Sequence, residues 1–378
     1  MDRPEKRQIL PQTRAHEVPL YALDAAERPP SQSDQRREHL SLETVKYDDI
    51  KAAHDRLKES GLIIQTPCNW SEEISDKAFI YTYLKEENIQ HLDSYKIRGS
   101  ANAILVALAT RDLSRGVCAS TSGNHGLGLA YVCDRMNIPC TIFTSENVPE
   151  YKNMKIRQQG ATVIVQGKIY DDADRNALAF AHHTGAHFIA PDDLAVIGGY
   201  GTVGLEIMEQ VPDVTHIIVP VGGGALMAGI AAAVKSQRPY TRVIGVESNA
   251  APSVKEALRW GEVYDLLGVG RSAAESLVVQ SIHPNPLKIL MDHGITEQDL
   301  YQVNDGQMKS AQEWLRKMGH HVELSGAAGV AGFYNPPIPT NNMHNEIRGH
   351  LFQHDHKPWV RVGHAKAVIV LTGGNVSL

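Results

Sequence analysis

A lysine near the start of a helix is usually a solvated cation, but Lys96 has neighbours that suit chemistry. It stands in Ser94-Tyr-Lys-Ile-Arg-Gly-Ser100, after an aromatic residue and just before the apolar run AILVALA. An amine held out of water at such a place has a lowered pKa and can act as a nucleophile. Three glycine-bearing turns elsewhere could face it, each at the end of a strand-like run. The first is Val219-Pro-Val-Gly-Gly-Gly-Ala-Leu226. Consecutive glycines let backbone N–H groups converge, and a helix N-terminus adds positive potential, which together make a phosphate cradle. No Gly-Lys-Ser or Gly-Lys-Thr follows and the spacing is not GxGxxG, so neither a Walker loop nor a dinucleotide site fits. The second turn is Ser120-Thr-Ser-Gly-Asn-His-Gly126. Ser120 or Thr121 there suits a plain helix cap. The crowding of Thr121, Ser122, Asn124 and His125 also suits an anion site for a carboxylate. The third, Leu371-Thr-Gly-Gly-Asn375, carries little alone.

Such residues need rigid elements to hold them. Residues 1–41 are polar and proline-bearing and read as a flexible extension. From Leu42 the pattern turns periodic. Val45, Ile50, Ala53 and Leu57 predict a helix within 42–59, with Ser41 as its N-cap. Strands are predicted at 78–84, 117–120, 141–144, 162–166, 217–221, 243–246 and 367–371. Helices are predicted at 101–109, from about 124, at 150–159 and at 170–183. This alternation predicts an α/β architecture of mainly parallel twisted sheets covered by helices. The length of 378 residues predicts two domains. Residues 335–363, rich in Pro, Asn and His, read as a surface insertion before the last strand.

Composition narrows the function. A net charge of −6 with no long basic stripe argues against nucleic acid as a partner. No apolar stretch approaches the roughly 18 residues that span a bilayer, and MDRPEKRQIL lacks a signal core. Cys68, Cys118, Cys133 and Cys140 form no CxxC pair. They read as reduced thiols, which points to a cytoplasmic location. The partner class left is a small molecule.

Read together, the motifs identify a family. SYKIRGS resembles the cofactor-lysine motif of the threonine and serine dehydratases, normally SFKxRGA. TSGNHG resembles their substrate loop, PVGGGAL their phosphate loop and LTGGN their terminal Gly-Gly-Asn turn. All four occur in family order. Thr66-Pro67, Leu84-Lys-Glu-Glu87, Ile197-Gly-Gly-Tyr-Gly-Thr202, Gly245-Val-Glu247 and Glu323-Leu-Ser-Gly-Ala327 match as well. The resemblance spans roughly residues 42–335 and 364–378 and is to the dehydratase–serine racemase branch of the fold-type-II pyridoxal-phosphate enzymes. It implies a large cofactor domain of residues 42–115 and 192–378, and a small domain of 116–191. Lys96 would carry pyridoxal phosphate as a Schiff base and later take the substrate Cα proton. Gly222, Gly223, Gly224 and Ala225 would hold the phosphate, Asn124 the ring hydroxyl and Thr372 the pyridine nitrogen. Thr121, Ser122, Gly123 and His125 would hold the substrate carboxylate. The implied reaction is α,β-elimination on L-threonine or L-serine, giving a 2-oxo acid and ammonia, in a homodimer.

Departures from the pattern keep other outcomes open. Ala225 stands for a fourth glycine, which requires a negative φ there. Tyr95, Ser100, Leu127, Ala274-Glu275-Ser276 and Leu324 also differ from the common residues. Ser122 could return a proton on the cofactor face opposite the lysine, as in a racemase. A β-replacement synthase and a cofactor-binding protein without chemistry are the further alternatives. The branch's cation site would use Glu247, but Ser253 stands where a second acid is needed, so one carboxylate is left for a hard cation. His344, His350, His354, His356 and His364 lack clean ligand spacing and read as a solvated loop. Feedback control by an appended regulatory domain is not expected.

Overall fold

The computed structural model describes residues 44–334 and 365–375. The expected extension, the 335–363 insertion and the five histidines at 344–364 lie outside those residues. Among the described residues, ten strands form two sheets. They are β1 (Cys68–Trp70), β2 (Tyr81–Lys85), β3 (Val117–Ser120), β4 (Cys140–Thr144), β5 (Thr162–Val165), β6 (His187–Phe188), β7 (His216–Pro220), β8 (Arg242–Ser248), β9 (Leu300–Val303) and β10 (Lys366–Val370). The larger sheet has the order β1-β2-β10-β7-β8-β9 and the smaller β5-β4-β3-β6. Only the β1–β2 pairing is antiparallel; every other pairing is parallel. Parallel strands buried on both faces need continuous apolar runs, and Ile217, Ile218 and Val219 of β7 are fully buried. Each contributes about 1.5–3 kcal/mol by leaving water.

Four of the helices pack in succession against one another. Lys96–Thr110 packs on both Asn124–Met136 and Leu194–Gln210, and the last packs on Ala225–Gln237. Residues 196–208 and 226–234 are buried on every side, so these two helices lie in the centre. Glycine allows the close crossing: a Cβ on Gly199 would meet the Arg98 carbonyl oxygen at 2.4 Å, and one on Gly229 the Ile197 carbonyl oxygen at 2.5 Å.

The first helix begins later than its periodicity suggests, at Tyr47 rather than near residue 42. Lys46, not Ser41, precedes it, and the Lys46 amide donates to Asp49 Oδ2 at 2.9 Å. Asp48 and Asp49 place negative charge in the first turn, where the helix dipole favours it. All four cysteines are free, and burial pushes the Cys68 and Cys118 thiols up to about 12. Among the described residues, no helix is long and apolar enough to cross a membrane.

Candidate active site

The segments after β2, β3, β7 and β10 converge at the carboxyl ends of those strands, the usual ligand side of a parallel sheet. The Lys96 segment is stitched to the last turn. Ser94 and Gly373 form a bridge, the Gly374 amide donates to Asp93 O at 2.8 Å, and the Tyr95 amide donates to Thr372 O at 3.4 Å. Leu92 and Asp93 adopt φ of 61° and 50° to make this turn, a conformation that costs a non-glycine residue free energy. Lys96 is therefore the first residue of its helix, five positions before the predicted start at 101. Its Nζ lies 5.0 Å from the Tyr95 ring centre and 5.4 Å from that of Tyr200. Burial works against the ammonium, yet the Tyr200 and Tyr95 phenols outweigh it and hold the lysine above its ordinary value.

Behind Lys96 the motif arginine is wholly buried in an ion cluster. Arg98 donates to Glu87 through Nε and Nη2, both at 2.8 Å, and to Glu206 through Nη1 at 2.6 Å and Nη2 at 2.9 Å. Lys85 Nζ donates to Glu206 at 2.5 Å, to Thr66 O at 2.7 Å and to Gln210 Oε1 at 2.9 Å. Two cations face two carboxylates, so the cluster is neutral. Burial would raise the Glu87 carboxyl, but Arg98 and Lys85 hold it below its ordinary value. The cluster ties β2 and the central helix Leu194–Gln210 to the base of the lysine motif.

The loop after β3 caps its own helix. Thr121 is buried, and its Oγ1 accepts from the amides of Gly123 at 3.0 Å and Gly126 at 3.3 Å. Its hydroxyl oxygen thus holds the loop, as a cap does. The first internal bond of the helix runs from the Leu127 amide to Gly123 O. The Asn124 and His125 amides therefore lack intrahelical acceptors and remain for an anion. Ser122 is exposed. The His125 ring is buried below the loop, with Nε2 donating to Ile189 O at 3.1 Å. Burial and the Lys96 charge push this imidazole down to about 4, so it is neutral.

The turn after β7 is shaped as the sequence requires. Gly224 carries the left-handed φ of 82°, whereas Ala225 is not among the positive-φ residues, so the alanine is accommodated. The first bond of the helix is from the Ala228 amide to Gly224 O at 2.9 Å, so the amides before it point out of the helix end. A Cβ on Gly222 would meet Ser276 O at 2.3 Å, while one on Gly223 would meet nothing within 4 Å. Unpaired amides around open space fit a phosphate. The loop that roofs Gly222 also carries Glu275, which meets Lys152 Nζ at 2.5 Å and links the two sheets' layers.

Glu323 is a site residue missed from the motif roles. Its amide donates to Gly373 O at 2.8 Å, and a Cβ on Gly373 would strike its Oε1 at 2.6 Å. Burial raises its carboxyl, offset in part by Ser325, Lys152, Lys96 and Asn124. The signal was present in the Glu323-Leu-Ser-Gly-Ala327 match. Glu247, the residue expected for a cation, has a role in the fold. It caps the helix Ser253–Trp260, accepting from the Val254 amide at 2.8 Å and the Lys255 amide at 3.1 Å. No group of three or more His, Cys, Asp or Glu able to hold a metal occurs among the described residues.

Known proteins resemble this chain along most of its length. Residues 59–343 match the family model described as pyridoxal-phosphate dependent enzyme. The L-threonine ammonia-lyase of Geobacter sulfurreducens is 36% identical over 333 residues, covering 88% of this chain and 76% of that one. Maize serine racemase superposes with a TM-score of 0.77 at 26% identity, covering 89% of this chain and 95% of that one. The processed form of threonine deaminase isoform 2 from Solanum lycopersicum gives 0.74 at 27% identity, covering 93% and 88%.

Proposed function

The chain belongs to the fold-type-II pyridoxal-phosphate-dependent enzymes, and from that premise we propose that it is a lyase converting L-threonine or L-serine to a 2-oxo acid and ammonia. The observations that support this reading are Lys96 opening its helix beside the stitched last turn, and the amides at 222–225 and 124–125 that make no hydrogen bond within their own helices. When bound, pyridoxal phosphate supplies an electron sink for negative charge at the substrate Cα. Lys96 Nζ is the residue that holds the cofactor and then accepts the Cα proton. The 222–225 amides bind the phosphate, and Asn124 meets the ring hydroxyl. The Ser122 hydroxyl with the Asn124 and His125 amides binds the substrate carboxylate, while Thr121 and Gly123 shape that loop and His125 supports it from below. Thr372 presents a neutral hydroxyl to the pyridine nitrogen. A hydroxyl cannot keep that nitrogen protonated as a carboxylate would, which favours a reaction whose β-hydroxyl leaves as the proton is removed. Water lost in elimination is regained in hydrolysis, so the amino acid yields 2-oxo acid and ammonium alone.

The test is a cofactor-loaded assay for 2-oxo acid and ammonia with each substrate. Wild type should form both products and Lys96→Ala neither. Silence with both amino acids, or full turnover by Lys96→Ala, would overturn the proposal. The exposed hydroxyl of Ser122 favours a second reading, racemisation of serine; chiral analysis of residual serine with wild type and Ser122→Ala decides it. A homodimer in a reducing cytoplasm, with 116–191 as a small domain, completes the proposal. The exposed Trp260 and Leu267 and the free thiols support it, and light scattering tests the dimer.

A further inference from the structure

Two charged groups and two amides form a line beside Lys96. Lys155, on the helix Glu150–Gln158, places Nζ 3.4 Å from Asn375 Oδ1. Asn375 Nδ2 donates to Leu92 O at 2.7 Å and to Asn124 Oδ1 at 3.2 Å. The Asn124 side chain is also near enough to the Glu323 carboxyl to offset part of the rise that burial causes there. An amide can face either way in outline, and only its partners decide which end donates. Here the partners are one-sided. A lysine ammonium can only donate and a carbonyl can only accept. Lys155 therefore requires oxygen from Asn375, and Leu92 O requires its nitrogen. Both Asn375 hydrogens are then taken, one of them by Asn124 Oδ1. Asn124 Oδ1 is then the accepting end, which leaves its nitrogen as a donor facing away from Asn375.

We propose that Lys155 and Asn375 are positioning residues that fix the donor direction of Asn124, so that its free N–H points at the ring oxygen of the cofactor. The inference rests on the reading of Asn124 as the ring contact. In the opposite orientation Asn124 would offer an oxygen lone pair to an oxygen, which repels. A donated hydrogen bond disperses charge on the ring oxygen and weakens its hold on the proton it shares with the Lys96 nitrogen. Losing that bond strengthens the hold.

The experiment is a spectroscopic pH titration of the lysine-linked cofactor, with cofactor affinity measured alongside. Asn375→Asp keeps the shape and the Lys155 contact but cannot donate. It should raise the titration midpoint by about tenfold in proton affinity. Lys155→Met should move it the same way by less, and Lys155→Arg should restore it. Asn124→Ala should move it at least as far as Asn375→Asp. Unchanged midpoints in folded Asn375→Asp and Lys155→Met, with a shift in Asn124→Ala, would sink the relay and leave the ring contact standing. An unchanged midpoint in Asn124→Ala would sink both.

Discussion

Replacing Arg98 by leucine tests whether the ion cluster behind Lys96 is as sealed as its geometry says. Arg98 is fully buried and gives four hydrogen bonds to Glu87 and Glu206. Without it Glu206 keeps Lys85, but Glu87 keeps only the Thr66 hydroxyl at 2.5 Å. The cluster changes from neutral to a net negative charge with no access to water. Breaking one partner from a buried ion pair costs about 3–5 kcal/mol, whereas an exposed pair is worth about 1 kcal/mol or less. The two cases are far enough apart to separate by urea unfolding at fixed cofactor concentration. The pH dependence supplies a second check. In the native protein the depressed Glu87 carboxyl contributes stability that is present above its ordinary pKa of about 4.3 and fades as pH falls below it. In Arg98→Leu burial acts on Glu87 with less opposition, so the sign reverses and mild acid should stabilise the variant relative to neutral pH. Adding Glu87→Gln removes the stranded charge and should recover part of the loss. A loss under about 1 kcal/mol, or a double variant no better than the single, would refute the sealed cluster.

Three further outcomes follow from single groups. Burial pushes the Glu247 carboxyl up to about 8, so its contribution to stability is present below the ordinary carboxylate value and is lost as pH rises through about 8. Thermal melts should show Glu247→Gln gaining on wild type from about pH 5 to pH 8.5, and a constant gap would count against it. His125 is pushed down to about 4, so its contribution is present above the ordinary imidazole value and is lost as pH falls toward 4. His125→Gln should flatten the acid side of the melting profile between about pH 6.5 and 4.5, and an unaltered acid limb would contradict the burial argument. Gly223→Ala enters open space and should leave stability within about 0.5 kcal/mol while weakening pyridoxal phosphate binding at least tenfold. Gly222→Ala drives a Cβ into Ser276 O and should cost about 1–3 kcal/mol by denaturation. Equal stability losses in the two would show that the cradle is not open.

The alternation of strands and helices was legible because parallel strands here are short apolar runs with amphipathic helices between them. β3 matches its prediction, and β4, β5, β7, β8 and β10 lie within a residue or two. The central helix Leu194–Gln210 was not legible as a helix, because Gly198, Gly199, Gly201 and Gly204 read as punctuation along the chain. In three dimensions those glycines are where backbones touch, and their helix is sustained by packing on every side. Gly99 misled in the same way. It moved the expected helix start to residue 101, whereas the glycine only makes room for the Tyr200 ring, which its Cβ would meet at 2.4 Å. The pairing of Lys85 and Arg98 with Glu206 has no one-dimensional signature, since Glu206 lies more than 100 residues from both.

Within the candidate site, side chains that could bind an ion also hold the fold. Thr121, Arg98, Asn375 and Glu247 all have groups suited to binding an ion, and each is already engaged inside the protein. Their hydrogen bonds hold turns in shapes that leave backbone amides without partners. Under the proposed function, those amides, at 124–125 and 222–225, are the groups that bind anions. The offer does not depend on which side chains occupy the turns, provided glycine stands where a Cβ would clash. That explains how Ala225 can replace a glycine in the cradle while Gly222, pressed against Ser276, cannot be exchanged in the same way. Under the same proposal, substrate choice falls to side chains rather than to these amides, and Ser122, exposed beside them, is the one the loop presents.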